Sequence, residues 1–279
     1  MKKLAVLIAA LCVVVVSFSQ NMSAKLDTIL STYAHLHKFN GSVLVAKKSI
    51  ILLNKGYGYR NAAGKVVNDE NTIYQLGSIT KQFTAAIILK SQEERKLSVQ
   101  DKLSKYFPAY PKGDSITIEQ LLTHTSGIYN YTQNGDFMSK EVTNPANREK
   151  IMTLFKDKPL DFSPGTGWNY SNSGYILLGY IIEIATRKPY EEVVRKYIFT
   201  PLQMTHSGFD FTHLKSTEKA TGYFKLDNPN AAPAPTVDSS VSFSAGAIYS
   251  TTGDLYRWHN ALLTNTILTK VQQEKAYTP

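Results

Sequence analysis

The chain has 279 residues, of which 43% are hydrophobic and 19% are charged. This is the composition of a folded globular protein with a sizeable core, not that of a disordered chain. The formal net charge is +9, but the basic residues are scattered along the chain and form no run of five. Without a basic stripe, we expect a solvated basic surface and no nucleic-acid partner.

The first residues of the chain differ from the rest. Two lysines precede an apolar run, Leu4–Val16, and serines follow it. This pattern predicts a secretory signal peptide over residues 1–19, which is too short for a membrane span, and a mature domain over residues 20–279. The only cysteine, Cys12, lies in the predicted signal. The mature protein is therefore expected to lack disulfides and cysteine metal sites, to have no stable membrane span, and to be periplasmic or secreted.

Apolar periodicity and turn residues predict the elements in chain order. The predicted helices are 21–39, 78–90, 99–107, 118–124, 148–155, 173–186, 189–198 and 254–263, and the predicted strands, 41–48 and 50–59, form a hairpin. Residues 128–147 are rich in Tyr, Asn, Gln and Gly, and we expect a long surface segment that lines a substrate cleft. No closing element is predicted over residues 272–279.

The segment Gly77–Lys90 begins with the pattern Ser-x-x-Lys and continues as a helix that is apolar on almost every side, so it is expected to be buried. Ser78 lies at the helix N-terminus, where negative charge is favoured, and Lys81 follows on the same face. A lysine can take the proton of a serine only if burial or cationic neighbours lower its pKa. The alternative role of Ser78 is an ordinary helix N-cap. A second copy of the pattern, Ser216–Lys219, lacks an apolar helix and is expected to be a solvated turn.

Tyr170 and Asn172 follow a turn rich in Pro and Gly. A tyrosine beside a lysine can shuttle protons, and a neighbouring asparagine can orient a substrate carbonyl and hold the lysine in place. The pattern Tyr-x-Asn is weak alone, because Tyr59–Asn61 also matches it at a predicted strand end. His124 ends a predicted helix, and we expect a hydrogen-bonded packing residue there, not a catalytic group. The six histidines are scattered, and neither a metal ion nor another cofactor is expected.

Four blocks occur in order along the chain: Gly77–Thr84, Leu121–Gly127, Pro164–Tyr175 and Ser244–Asp254. In this order they resemble the serine β-lactamase/penicillin-binding protein family, in its class C β-lactamase and D-alanyl-D-alanine carboxypeptidase branch. The resemblance implies an α+β fold of the β-lactamase/transpeptidase type, an antiparallel sheet flanked by helices with a mostly helical lobe. It implies that Ser78 is the nucleophile of an acyl-enzyme and Lys81 its base. By the same resemblance, Tyr170 is the second acid/base and Asn172 orients the substrate.

The resemblance is incomplete at the C-terminal side. The family carries a third motif, Lys-Thr-Gly or His-x-Gly, on a strand that lines the site, and nothing after Asp254 matches it. That portion would also supply one backbone N–H of the oxyanion hole, whose loss typically costs about 10²–10³ in rate. We therefore expect a domain truncated at its C-terminus, without the C-terminal sheet strands and with an unpaired sheet edge.

Two functions are compatible with these patterns. The first is an exported serine hydrolase, a monomer that acts through an acyl-serine on β-lactams, D-Ala peptides or esters. The second is a non-catalytic binding or scaffold protein that retains the fold, and the missing third motif favours it. A Ser-His-Asp hydrolase is poorly supported, because the chain has no Gly-x-Ser-x-Gly. The sequence does not choose among the three substrate classes, since they share the same machinery.

Overall fold

The computed structural model describes residues 22–225 and 232–277, and the predicted signal peptide over residues 1–19 lies outside them. The chain divides into two compact units. The described residues of unit 1 are 22–73, 216–225, 232–234 and 251–256, and those of unit 2 are 74–215, 235–250 and 257–277. All four predicted site residues therefore belong to unit 2.

Unit 1 contains the first helix and the predicted hairpin. Helix α1 covers residues 22–35, and the strands are β1 (Gly41–Lys47), β2 (Ile50–Tyr57), β3 (Tyr59–Asn61) and β4 (Val66–Val67). β1 and β2 pair antiparallel around Lys48 and Ser49, which both have positive φ, as a two-residue hairpin turn requires. Within the described residues this sheet has two strands. The truncation of the domain and the unpaired edge that would follow from it stay predictions.

The remaining elements include most of the helices. In chain order they are β5 (Tyr74–Gln75), α2 (Thr80–Glu93), α3 (Ile118–Leu122), α4 (Gly135–Lys140), α5 (Arg148–Thr153), α6 (Asn172–Thr186), α7 (Tyr190–Val194), α8 (Ser239–Gly246), β6 (Tyr249–Ser250), α9 (Thr252–Leu263) and α10 (Lys270–Tyr277). β5 pairs antiparallel with β6. Helices and small antiparallel sheets make up an α+β fold, which confirms the predicted class. Among residues 22–225 and 232–277, no helix combines the length and the hydropathy that a bilayer span needs.

The core of unit 2 forms around α2 and α6. Phe83, Ile87 and Ile88 of α2 are fully buried, which agrees with the apolar character predicted for this helix. The ring of Phe83 stacks on Trp258, with the ring centroids 4.5 Å apart. α6 begins where the Ser171 side chain accepts a hydrogen bond from a backbone N–H of its first turn, and it packs against α2 and α8. The N-terminal ends of α2 and α6 are thus held by a rigid core.

The prediction of a long surface segment over residues 128–147 is wrong. Ile128, Tyr131 and Phe137 are buried, and the segment contains α4. Its asparagines suggested solvent exposure, but they cap helices: Asn134 accepts a hydrogen bond from a backbone N–H of α4, and Asn147 accepts one from α5. The polar residues satisfy helix ends while the aromatic residues between them supply the buried area.

Two predictions about helix extent are also wrong. Residues 270–277 form α10, whereas no closing element was predicted there. α10 has no buried side chain, so it carries no apolar stripe, and it starts next to Thr269, whose backbone N–H and hydroxyl both donate to Glu93 at 2.7 Å. The helix predicted over residues 99–107 is limited to a 3₁₀ turn, Leu103–Lys105.

The close approach of α6 to α8 requires a glycine at position 179. A Cβ atom there would lie 2.1 Å from Oγ of Ser244 and 2.6 Å from Cε1 of Phe243. We expect Gly179→Ala to lower the free energy of unfolding by about 1–3 kcal/mol, because overpacking outweighs the better helix propensity of alanine. Urea denaturation measures this difference.

Gly174→Ala, in the same helix, is the matched control. Its added Cβ would meet no atom closer than 3.6 Å. We expect it to be neutral or to stabilise the protein by up to about 1 kcal/mol through helix propensity. Equal unfolding free energies for the two variants would contradict the packing argument.

Candidate active site

Ser78 lies in a 3₁₀ turn, Gly77–Ile79, that leads directly into α2. In the described structure neither this turn nor α2 has a side-chain N-cap, so the alternative role of Ser78 as a cap is wrong. Instead, Oγ of Ser78 accepts a hydrogen bond from the Tyr170 hydroxyl at 2.7 Å and lies 3.2 Å from Nζ of Lys81. Ser78 itself is exposed, so a substrate can reach the hydroxyl.

Lys81 has three hydrogen-bond acceptors around its ammonium group. Nζ donates to Oδ1 of Asn172 and to the backbone carbonyl of Ala245, both at 2.8 Å, and to Oγ of Ser78 at 3.2 Å. These three bonds match the three donors of a protonated lysine. Only 7% of Lys81 is exposed, and the three hydrogen bonds hold its amine in one position.

Burial sets the acidity of Lys81. Removal from water lowers the pKa of its ammonium group from 10.5 to about 8, because a low-dielectric environment disfavours the charged form. The aromatic faces of Tyr170 and Tyr175 lie 4.9 and 5.4 Å from Nζ and attract the remaining charge only weakly. Within the described residues, no carboxylate forms an ion pair with Lys81, so desolvation dominates.

Asn172 is oriented by two residues that sequence reasoning missed. Its Nδ2 donates to Oδ1 of Asn130 at 3.3 Å and to Oγ1 of Thr132 at 3.1 Å, and its backbone N–H donates to the same Asn130 oxygen at 3.1 Å. Because Nδ2 is committed to these acceptors, Oδ1 must face Lys81. Asn130 and Thr132 lie in the segment that was predicted to be a surface loop, and no pattern in the sequence distinguishes them.

The carbonyl of Ala245 reaches Lys81 through an unusual turn in α8. Phe243 has φ 34° and ψ −128°, far from helical values, and such a conformation costs on the order of 1–3 kcal/mol. The Phe243 ring is held against Tyr180 and Tyr190, with centroids 5.1 and 5.2 Å apart. Packing of this ring therefore maintains the turn that presents the carbonyl.

The second copies of the Ser-x-x-Lys and Tyr-x-Asn patterns lie in unit 1, whereas the candidate site lies in unit 2. Ser216–Lys219 lies in a turn, as predicted. Tyr59–Asn61 was expected at a strand end and instead forms the separate short strand β3. His124 is half-buried, and its Nδ1 accepts the backbone N–H of Ser171, so it is the hydrogen-bonded residue that was expected. Within the described ranges, no group of three or more His, Cys, Asp or Glu side chains is placed to hold a metal ion.

Comparison with known proteins relates this arrangement to a family. The family model described as Beta-lactamase matches residues 26–279. The chain belongs to the Beta-lactamase family. This agrees with the resemblance of the four sequence blocks and with the α+β fold.

Relatives of this Beta-lactamase family member include PbpX of Bacillus subtilis (strain 168), which is named as a penicillin-binding protein and is 33% identical over 250 residues. The match covers 90% of this chain, which spans 61% of the length of PbpX. A penicillin-binding protein from Bacillus halodurans is 28% identical with a TM-score of 0.78, over 90% of this chain and 77% of that one. A D-stereospecific amidohydrolase from Streptomyces sp. is 31% identical with a TM-score of 0.68, over 74% and 65% of the two chains.

The environment of Lys81 predicts a titration that can be observed directly. In protein labelled with ¹³C at the lysine ε-carbon, one signal is expected to titrate near pH 8, whereas an ordinary lysine titrates near 10.4. Nuclear magnetic resonance follows the signal, and its loss in Lys81→Met assigns it. A Lys81 signal that titrates with the bulk of the lysines would show that the amine is solvated.

Proposed function

We propose that this member of the Beta-lactamase family is an exported serine hydrolase that acts through an acyl-serine intermediate. The observation that carries the proposal is the convergence of a phenol and an amine on one exposed hydroxyl, Tyr170 at 2.7 Å and Lys81 at 3.2 Å from Oγ of Ser78. A nucleophile, a base and an acid within hydrogen-bond distance are what acyl transfer needs.

Hydrogen-bond geometry supports Lys81 as the base. When the amine is neutral, it has two N–H donors and one lone pair. Two of its three partners, Oδ1 of Asn172 and the carbonyl of Ala245, can only accept, and they lie closest, at 2.8 Å. The lone pair is then left for the hydroxyl of Ser78. Loss of one proton thus converts Lys81 from a donor to Ser78 into the acceptor of the Ser78 proton.

Tyr170 is the proposed acid. As Ser78 attacks the substrate carbonyl, its proton passes to Lys81 and the Oγ–carbon bond forms. The phenol that donated to Oγ is then next to the reacting centre, and we assign to it the transfer of a proton to the leaving nitrogen or oxygen as that bond to the carbonyl carbon breaks. In the second half of the reaction, a water molecule attacks the acyl carbon and gives one proton to the Tyr170 oxygen. The bond between that carbon and Oγ then breaks, Lys81 returns its proton to Oγ, and the acid product leaves. The N-terminal dipole of α2 favours the negative charge that develops beside Ser78.

For the substrate, we propose an amide, β-lactam or ester of small-molecule or peptide size. The names of two relatives support D-configured amides and penicillins as the first compounds to test, since one is a D-stereospecific amidohydrolase and the other a penicillin-binding protein. The predicted signal peptide supports export, to the periplasm or the medium, and we propose that the protein acts there as a monomer.

Covalent labelling of the full-length gene product tests the nucleophile. We expect a fluorescent penicillin or a fluorophosphonate to label the wild-type protein and not Ser78→Ala. Lys81→Ala and Tyr170→Phe should each slow labelling by about 10²–10⁴-fold, the usual contribution of a general acid or base. Stopped-flow or gel-based labelling kinetics measure these rates.

Ser216→Ala is the matched control, because Ser216 begins the second Ser-x-x-Lys copy, which lies in a turn of unit 1. It should label like the wild-type protein. Equal labelling of Ser78→Ala and wild type would falsify the proposed nucleophile. If neither probe reacts and none of an ester, nitrocefin or a D-Ala-D-Ala peptide is turned over, the alternative of a non-catalytic scaffold is favoured.

The pH dependence of acylation tests the base. With a pKa of about 8, Lys81 is about one-tenth neutral at pH 7, against about one part in three thousand for a lysine of pKa 10.5. Because the neutral amine is the active form, the acylation rate should rise with pH, with a midpoint near 8, and fall as the pH drops below it. A profile that keeps rising to pH 10 would mean that Lys81 is not the base.

A further inference from the structure

His124 makes three contacts with Tyr170 and the residues on either side of it. Its backbone carbonyl accepts the N–H of Asn169 at 3.0 Å, and its Nδ1 accepts the N–H of Ser171 at 3.1 Å. Its ring lies against the ring of Tyr170, with centroids 4.6 Å apart and planes 35° apart. One residue thus binds the chain immediately before the tyrosine and immediately after it, and also contacts the tyrosine ring.

The protonation state of His124 allows its side chain to accept the hydrogen bond from Ser171. A backbone N–H is a donor, so Nδ1 must carry a lone pair and Nε2 the hydrogen. Burial, and to a lesser degree the positive charge of Lys81, lowers the pKa of His124 to about 4. The imidazole is therefore neutral at physiological pH, and the hydrogen bond from Ser171 is maintained.

The backbone around His124 is itself fixed. His124 follows α3 in the left-handed conformation, with φ 60°. The carbonyls of Thr125 and Gly127 accept N–H groups of Gly165 and Asp161, both at 2.8 Å. Residues 124–127 thus hold the loop 161–171 at four points, two of them at His124.

We propose that His124 is a positioning residue that holds the Tyr170 hydroxyl on Ser78. The inference rests on the proposed function, in which Tyr170 moves a proton. His124 reaches Tyr170 directly, through the tyrosine ring and the two flanking N–H groups. Its ring also lies near the rings of Tyr175 and Trp168, with centroids 5.1 and 6.1 Å apart, so a test of coupling to Tyr170 is needed.

Tyr170 is only half-buried and lies at the end of a loop, and the two points that hold this loop without His124, at Gly165 and Asp161, lie further back along the chain. A misplacement of about 1 Å can reduce a rate by about 10²-fold.

Two variants separate the contacts. His124→Asn retains an acceptor oxygen where Nδ1 lies and tolerates a left-handed backbone, but it lacks the ring. His124→Phe retains a ring but lacks the acceptor. We expect His124→Phe to lower the acylation rate constant by about 10²-fold with little change in KM. His124→Asn should retain most of the wild-type rate constant. The rate is measured with the full-length protein and an activated ester.

A double-mutant cycle tests whether His124 acts through Tyr170. In a Tyr170→Phe background, His124→Phe should lower the rate further by no more than roughly twofold, the usual error of additivity. An equal loss in both backgrounds, or no loss in the wild-type background, would overturn the inference. If Tyr170→Phe itself has no effect, it is the proposed role of Tyr170 that fails, so the two failures are distinguishable.

His37→Phe is the matched control for backbone strain. His37 also follows a helix in the left-handed conformation, with φ 54°, and it is exposed. His37→Phe should reproduce the backbone strain of a phenylalanine in the left-handed conformation, but it should not lower the acylation rate. If His124→Phe does not fold, the cycle is run with His124→Gly, which accepts a positive φ and removes both side-chain contacts, with the same expected results.

Discussion

The site depends on the burial of one amine among three oxygen acceptors. Lys81 is removed from water by the apolar helix that carries it, and its ammonium group is satisfied by Asn172, Ala245 and Ser78. The buried carbonyl of Ala245 cannot release its bond without being left unsatisfied, which costs about 1–3 kcal/mol, and Asn172 is held in place by its own bonds to Asn130 and Thr132. The third is the hydroxyl that reacts. The same burial that fixes the position of the Lys81 amine also lowers its pKa, and the packing of unit 2 around α2 maintains that burial.

Other residues hold the hydrogen-bond partners of this amine in place. Asn130 and Thr132 orient the amide of Asn172, and the turn at Phe243 presents the carbonyl of Ala245. Each group determines one of the two bonds that leave the lysine lone pair for Ser78. A strained backbone and a buried amine both reduce stability, and such costs are concentrated where preorganised groups are needed for chemistry.

The candidate site of this Beta-lactamase family member is assembled within one of its two units. The chain spans 61% of the length of PbpX, and the four residues Ser78, Lys81, Tyr170 and Asn172 meet within unit 2 alone. The hydroxyl, the amine and the phenol are thus assembled by α2, α6 and the loop 161–171. Residues 124–127 connect that loop to the end of α3, so the loop that carries the phenol is bound by a segment that supplies none of the three acceptors of Lys81.

The sequence by itself determined the local features, which are the apolar helix behind Ser78 and the hairpin, and it singled out the four residues that the structure brings together in unit 2. These follow from periodicity, spacing and side-chain chemistry over a few residues, or from the order of four blocks. Only the tertiary structure revealed Asn130, the carbonyl of Ala245 and the three contacts of His124. Every residue has a carbonyl and asparagines are common, so selection of the bonding partner depends on contacts between distant segments. The same reason applies to α10, whose side chains bury too little area to leave a pattern.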